Sequence, residues 1–180
     1  YRQDFGRLNA DKDSYGVPRS KSIQTTPAHQ LALAAVYYSP LQYMYWYDKP
    51  SDSQDEPELK FFDDVYTTWD DTKVLQGEVG EFITIARRKG EEWFIGSITN
   101  NEKRVLSVSL DFLPEGKNYI AEIYTDGDKS VKTRTKVRVS TYRVSNKTKL
   151  NFCLKASGGG AVRLVPDDGN IKSVKNYKQQ

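Results

Sequence analysis

Adjacent acids stand at Asp63-Asp64, Asp70-Asp71, Glu91-Glu92 and Asp167-Asp168, and paired carboxyl groups are the residues here best suited to chemistry. Two carboxyls on opposite sides of a scissile bond can divide acid and base work between them. Each of these pairs falls at a helix end, a turn or the tail, where carboxylates are ordinarily solvated. Glu78 and Glu81 flank Gly80 in a segment that reads as β-structure, and a structural role is expected for them too. No residue of this chain is assigned as catalytic.

His29 is the single histidine and Cys153 the single cysteine. That count excludes a disulfide framework within the chain and any site built from several histidines or cysteines. A lone histidine near a helix start is expected to be a hydrogen-bonded structural group. The rings of Tyr43, Tyr45, Trp46 and Tyr47 could stack on the apolar faces of sugars, with Tyr45 and Trp46 the candidates. The same rings suit packing between two layers, and that is the expectation preferred here. Asp126-Gly127-Asp128 has the acids of a calcium loop without its further ligands, so it reads as a hairpin turn. Phosphate loops, dinucleotide fingerprints and zinc spacings are absent. Neither a metal site nor a cofactor is expected in this chain.

The elements that would position these groups fall into three textures. Residues 1–25 are polar, carry Gly6, Gly16 and Pro18, and read as loop or arm. Residues 26–66 are apolar and aromatic, and from residue 67 short strands follow one another up to about 166. The tail, 167–180, is polar and expected to fray. With 27 basic and 24 acidic residues the net charge is +3, and the cations are scattered. Arg87-Arg88-Lys89 lies on an expected strand, where neighbours point to opposite faces, so it makes no single patch. No nucleic-acid partner is expected. No apolar run reaches spanning length and no leader opens the chain, so no membrane span is expected and an export signal would belong to a longer precursor.

Thr26-Pro27 opens a helix, with Thr26 as cap and Pro27 where its missing N–H costs nothing. The helix is expected to run to Tyr38, before Ser39-Pro40. It is apolar nearly all round: Ala28, Leu31, Ala32, Ala35 and Val36 on one face, Leu33, Ala34, Tyr37 and Leu41 on the other. A second helix is expected from Pro57 to Val65, burying Leu59, Phe61, Phe62 and Val65. One sheet face can cover only one side of the first helix. Leaving five or six large side chains exposed would cost on the order of 10 kcal/mol, at roughly 1.5–3 kcal/mol each. The expectation is therefore a missing neighbour upstream.

The strands are plain. Phe82 to Lys89 and Glu92 to Thr99 are rich in β-formers and joined at Gly90-Glu91. Leu106, Val108 and Leu110 alternate with polar residues, as do Val137 and Val139, Leu150 to Leu154, and Val162 with Leu164. Tyr119 to Tyr124 makes a further strand after the turn at Pro114-Glu115-Gly116-Lys117. About eight strands with regular turns predict a mainly β protein, an antiparallel β-sandwich preceded by one or two helices. Gly158-Gly159-Gly160 is read as a sharp return between the last two strands.

Several blocks, in order, resemble glycoside hydrolase family 97. They are Thr26-Pro27-Ala28-His29-Gln30-Leu31-Ala32-Leu33 with Ser39-Pro40-Leu41-Gln42, then Thr67-Thr68-Trp69-Asp70-Asp71-Thr72-Lys73-Val74-Leu75. Gly77-Glu78-Val79-Gly80-Glu81-Phe82, Ile85-Ala86-Arg87-Arg88-Lys89-Gly90, Leu110-Asp111-Phe112-Leu113-Pro114-Glu115-Gly116-Lys117 and Ala156-Ser157-Gly158-Gly159-Gly160 continue the likeness. The resemblance covers about residues 24–166.

It implies the carboxy-terminal end of a larger enzyme with an amino-terminal β-sandwich, a (β/α)8 catalytic barrel and a terminal β-sandwich. Residues 1–66 would close the barrel and 67–166 would form the sandwich, whose partner is that upstream barrel. Such enzymes act on α-glucosides or α-galactosides, many bind calcium at the catalytic site, and they are periplasmic or secreted. Their catalytic and calcium-binding residues lie upstream of the matched segment, so the chain alone is expected to be inactive on any oligosaccharide. Residues preceding a barrel helix lie on the catalytic face, which would give His29 a supporting place on the substrate side. Two other readings stay open, a carbohydrate-binding β-sandwich module and an autonomous interaction domain. The first needs an exposed aromatic strip on the sandwich itself.

Overall fold

The computed structural model describes residues 25–42, 56–133, 135–170 and 173–178. Their elements are α1 (Pro27–Val36), a single 3-10 turn (Pro57–Leu59), α2 (Lys60–Asp64), β1 (Asp71–Glu78), β2 (Phe82–Lys89), β3 (Glu92–Thr99) and β4 (Arg104–Ser109), followed by β5 (Asn118–Asp126), β6 (Val137–Ser145), β7 (Lys149–Leu154) and β8 (Gly159–Pro166). The expected mainly β fold is present, with eight strands. Nearly all of the arm expected over 1–25, and the whole aromatic cluster Tyr43, Tyr45, Trp46 and Tyr47, lie outside the described residues.

The strands form a six-stranded antiparallel sheet in the order β1-β2-β3-β8-β5-β6, and β4 pairs with β7 in a second, two-stranded sheet. Because side chains alternate along a strand, the large sheet has two buried faces. Ala86, Trp93, Ile95, Ala121, Ile123, Val162 and Leu164 meet Leu106, Val108, Leu150, Phe152 and Leu154 of the small sheet. The opposite face packs against the helices, with Phe94, Tyr124, Val137 and Ala161 meeting Leu31, Ala32, Ala35 and Phe61. The molecule is thus layered as helices, large sheet and small sheet, and each layer covers apolar side chains of its neighbour.

α1 sinks into the sheet because glycines lie beneath it. A Cβ on Gly96 would stand 2.5 Å from the Ala32 carbonyl oxygen, and one on Gly159 would stand 2.5 Å from the His29 Cα. Of the two apolar faces read from the sequence, the first is buried at Ala28, Leu31, Ala32, Ala35 and Val36, while on the second Ala34 is buried, Leu33 is half-buried and Tyr37 and Leu41 are exposed. The large apolar side chains left bare beside it are Tyr37, Tyr38 and Leu41, 60%, 78% and 71% exposed, beyond the helix end. The helix stops at Val36 instead of Tyr38, since Tyr37 turns to an extended conformation.

In β6 the alternation of Val137 and Val139 with polar residues is present, with Val137 in the helix-side cluster and Val139 37% exposed. Arg138, Ser140 and Tyr142 are paired across to Thr125, Ile123 and Ala121, so they share the face of the core between the sheets. The tail does not simply fray. Arg143 N donates to Lys175 O at 2.9 Å, Tyr177 N donates to Arg143 O at 2.9 Å, and the Tyr177 ring meets Tyr142 edge-on at 5.4 Å. The second expected helix is split into a 3-10 turn and a short α-helix, burying Phe61 while Leu59, Phe62 and Val65 are half-buried.

Candidate functional site

The helix-bearing face of the large sheet is where buried charged and titratable side chains gather, and each is placed by a strand or helix already described. His29 sits in the first turn of α1, whose N-cap Thr26 accepts from the His29 amide at 3.2 Å. Its Nδ1 lies 3.1 Å from the Gly158 carbonyl, which can only accept, so Nδ1 carries the proton. Burial lowers the imidazole's pKa, and its contacts with the Gly158 carbonyl and Asp126 oppose that only in part. His29 therefore ties α1 to the turn before β8. That placement satisfies the structural expectation for this residue.

Arg87, expected as one of several strand cations, is almost wholly buried under the other end of α1. Its Nε donates to the Ala35 carbonyl at 2.5 Å, one terminal nitrogen donates to the Val36 carbonyl at 2.9 Å, and the other donates to Thr72 Oγ1 at 2.9 Å. Carbonyls in a helix's last turn have no partner within the helix, and a cation there also meets the negative end of the helix dipole. The Tyr38 ring lies 5.2 Å from the guanidinium carbon. Arg88 points to the other face, 6.0 Å from the Trp93 ring, as the strand period requires.

α2 is held by ions. Arg163 donates to Glu92 at 2.8 Å and pairs with Asp64 at 2.8 Å, while Lys60 reaches both Asp64 and Glu122. Beside this network Glu58 is fully buried. The Thr135 hydroxyl donates to one of its carboxyl oxygens, and Oε2 has no hydrogen-bond partner. Burial pushes the Glu58 carboxyl's pKa up. Glu58 and Arg87 were both missed as special residues. The available signals were weak: an arginine in register with Ile83 and Ile85 on β2, and a glutamate next to a proline at a helix start.

Several other acids hold neighbouring groups in place. Asp70 accepts from the Gly90 amide at 2.8 Å and pairs with Lys89, Glu81 pairs with Arg104, and Glu91 pairs with Lys117. Asp126 accepts from the amides of Lys155 at 2.9 Å and Gly159 at 3.2 Å, and Asp128 accepts from Ser130. Asp167 holds Arg143. None is brought opposite another carboxyl across an open cleft. Trp93 lies in the core between the sheets and Trp69 packs on the helix side. Among the described residues no three acids, histidines or cysteines gather to hold a metal ion. No described helix is long and apolar enough to cross a membrane.

Among the described residues the face carries no assembled cluster of acids, histidines or cysteines, and what it offers is surface. Val74, Gly77, Phe82, Ile83 and Ile98 line a hollow of about 560 Å³ around the β1–β2 turn, with Val79 fully exposed at its rim. Tyr37, Tyr38 and Leu41 project at the far end of the helix. Exposed apolar groups of this kind suit a contact face.

Known proteins share this architecture. A family model described as "Glycosyl-hydrolase 97 C-terminal, oligomerisation" matches residues 68–165. A curated protein from Bacteroides thetaiotaomicron named "Retaining alpha-galactosidase" is 34% identical over 158 residues, covering 87% of this chain. A solved family 97 enzyme from Pseudoalteromonas sp. strain K8, in complex with acarbose, is 36% identical over 83% of the chain with a TM-score of 0.74. A solved β-arabinopyranosidase, 22% identical over 82% of the chain with a TM-score of 0.64, shares the fold. The chain spans 23% of the length of the curated galactosidase and 24% of the Pseudoalteromonas enzyme. Eight antiparallel strands bearing a glycine-cradled helix, matched across most of the sandwich, place this chain in the glycosyl-hydrolase 97 carboxy-terminal, oligomerisation family.

Proposed function

We propose that the chain is the non-catalytic carboxy-terminal part of a glycoside hydrolase acting on α-glucosides or α-galactosides, and that its helix-bearing face buttresses the catalytic barrel. The observation that carries this reading is the pairing of coverage with chemistry. A matched region of 158 residues accounts for under a quarter of the galactosidase, and no described group here could cleave a glycosidic bond. The role left to the segment is to hold and assemble. The exposed Tyr37, Tyr38 and Leu41 suit a barrel surface, since burying each large side chain contributes roughly 1.5–3 kcal/mol.

In this reading residues 1–66 continue from the barrel and 67–166 form the buttress. Calcium, where the parent enzyme uses it, belongs to the barrel. The parent is exported, to the periplasm or beyond. The oligosaccharide substrate meets the barrel, and His29 supports the substrate side only by anchoring the start of α1. Copies of the parent associate through the terminal sandwich, in keeping with the family's description.

The test compares the purified 180-residue chain with the longer protein containing it, on aryl α-glucosides and aryl α-galactosides. The long form is expected to hydrolyse one class and the short form neither. Turnover by the short form would overturn the proposal. A parent that keeps full activity, thermal stability and oligomeric state after deletion of this segment would overturn the buttressing role.

A further inference from the structure

β6 breaks the alternation that the rest of the sandwich obeys. Its helix-side positions carry Val137 and Val139, while Arg138, Ser140 and Tyr142, ahead of the buried Val144, face the layer between the sheets, where β5 presents Ala121 and Ile123. A polar set on the inner face of a sandwich strand is a local violation of the binary pattern, and such violations are expected at functional sites. The second sheet has only two strands, β4 and β7, and they cannot cover six. At a strand spacing of about 4.8 Å, two strands shield roughly 10 Å of a sheet well over 20 Å wide. β7 lies over β5 and β8, which leaves the inner face of β6 open around Arg138 and Ser140, whereas Val144 is buried.

The uncovered space is a cleft of about 880 Å³, floored by Ile123, Leu150 and Phe152 and walled on its far side by residues 174–178. That volume falls in the range of about 300–1,000 Å³ typical of ligand pockets. Tyr142 and Tyr177 stand edge-to-face at 5.4 Å, and Tyr177 is fixed because its hydroxyl accepts from the Asn151 amide at 3.1 Å. Among the described residues the hydroxyls of Thr125 and Ser140 have no protein hydrogen bond, although both line the cleft. Paired rings with uncommitted hydroxyls above an apolar floor are the chemistry that holds a sugar, whose ring has apolar faces and a polar edge.

Charge narrows the class. No acidic side chain lines the cleft, whereas Arg138, Arg143, Lys175 and Lys178 do. Asp128 neutralises Arg138 and Asp167 neutralises Arg143. Lys175 and Lys178 have no ion pair among the described residues and are exposed at the rim. We propose that this cleft, on the opposite side of the large sheet from α1, binds a short anionic glycan bearing carboxylate or sulfate groups. The proposal stands apart from the buttressing role, which uses the other face.

Titration calorimetry of the full chain with tetragalacturonate, a sulfated chondroitin tetrasaccharide and neutral maltotetraose tests it. Binding of either anionic probe is expected, weakening as salt rises, with maltotetraose at least about tenfold weaker. Which anionic probe binds distinguishes a carboxylated from a sulfated ligand. The double variant K175E/K178E, on exposed side chains, should keep the wild-type melting temperature and lose about tenfold or more in affinity, since each tenfold corresponds to about 1.4 kcal/mol. Ser140→Trp should block the cleft and abolish binding. No heat with either anionic probe at millimolar concentration, equal binding of maltotetraose, or unchanged affinity in the lysine variant would each overturn it.

Discussion

The Nε of Arg87 donates to the carbonyl oxygen of Ala35 at 2.5 Å, so a strand side chain closes the end of the helix above it. Fifty-two residues separate the two partners. This link, with the Val36 and Thr72 contacts of the same guanidinium, joins α1, β2 and β1 at one point.

Replacing Arg87 with methionine keeps much of the apolar stem and removes every donor. The buried Ala35 and Val36 carbonyls would then lack partners, so a loss of about 2–4 kcal/mol is expected in urea unfolding. Arg87→Lys should fall between, since one ammonium cannot reproduce the planar fork. A stability within about 0.5 kcal/mol of wild type for Arg87→Met would show that α1 is held without its cap.

Gly96→Ala and Gly80→Ala should differ in kind. At Gly96 a methyl would meet the Ala32 carbonyl at 2.5 Å and the Ala35 Cβ at 3.1 Å, forcing α1 off the sheet. A loss of about 1–3 kcal/mol is expected, with amide exchange in α1 accelerating. At Gly80 nothing lies near, but φ is +79°, so the cost is local strain of about 1–2 kcal/mol without change in α1 exchange. Equal protection of α1 amides in both variants would contradict this account.

Glu58 gives stability a particular pH dependence. Its folded pKa lies above the ordinary 4.5, so the folded state holds a proton that the unfolded state has released. The contribution is complete below about 4.5 and declines as pH rises through the folded value. Glu58→Gln removes the ionisation, and the variant's melting temperature relative to wild type should rise as pH increases from 4.5 upward. A constant difference across that range would mean Glu58 ionises alike in both states.

His29 acts with the opposite sign. Its folded pKa lies below 6.5, so the unfolded chain takes up a proton first as pH falls. The neutral imidazole's contribution is complete above about 6.5 and is lost as pH drops toward the folded value. His29→Gln, which can still donate to Gly158, should lose less stability than wild type between pH 7.5 and pH 5.5. A parallel decline of both proteins would place the pH dependence elsewhere.

The strands were legible because alternation and turn residues are local signals. Phe82–Lys89 and Glu92–Thr99 coincide with their expected bounds, and Gly90 has a positive φ at their turn. The helix start at Thr26-Pro27 was equally plain, for capping acts within one turn. The absence of a usable histidine or cysteine cluster followed from composition alone.

Tertiary structure decided what depends on partners distant in sequence. A glycine under a helix looks like a glycine in a turn until the helix is placed, so Gly96 and Gly159 were unreadable as the cradle that buries α1. A buried arginine looks like a solvated one until a helix end stands above it. β6 carries valines on alternate positions, and a period of two cannot say which set faces inward. That choice depends on the register with β5, which sets Ser140 against Ile123 and turns the polar side chains into the sandwich. Sequence determined the elements because their signals act over a few residues, and three-dimensional packing determined their faces because burial is a property of the neighbours.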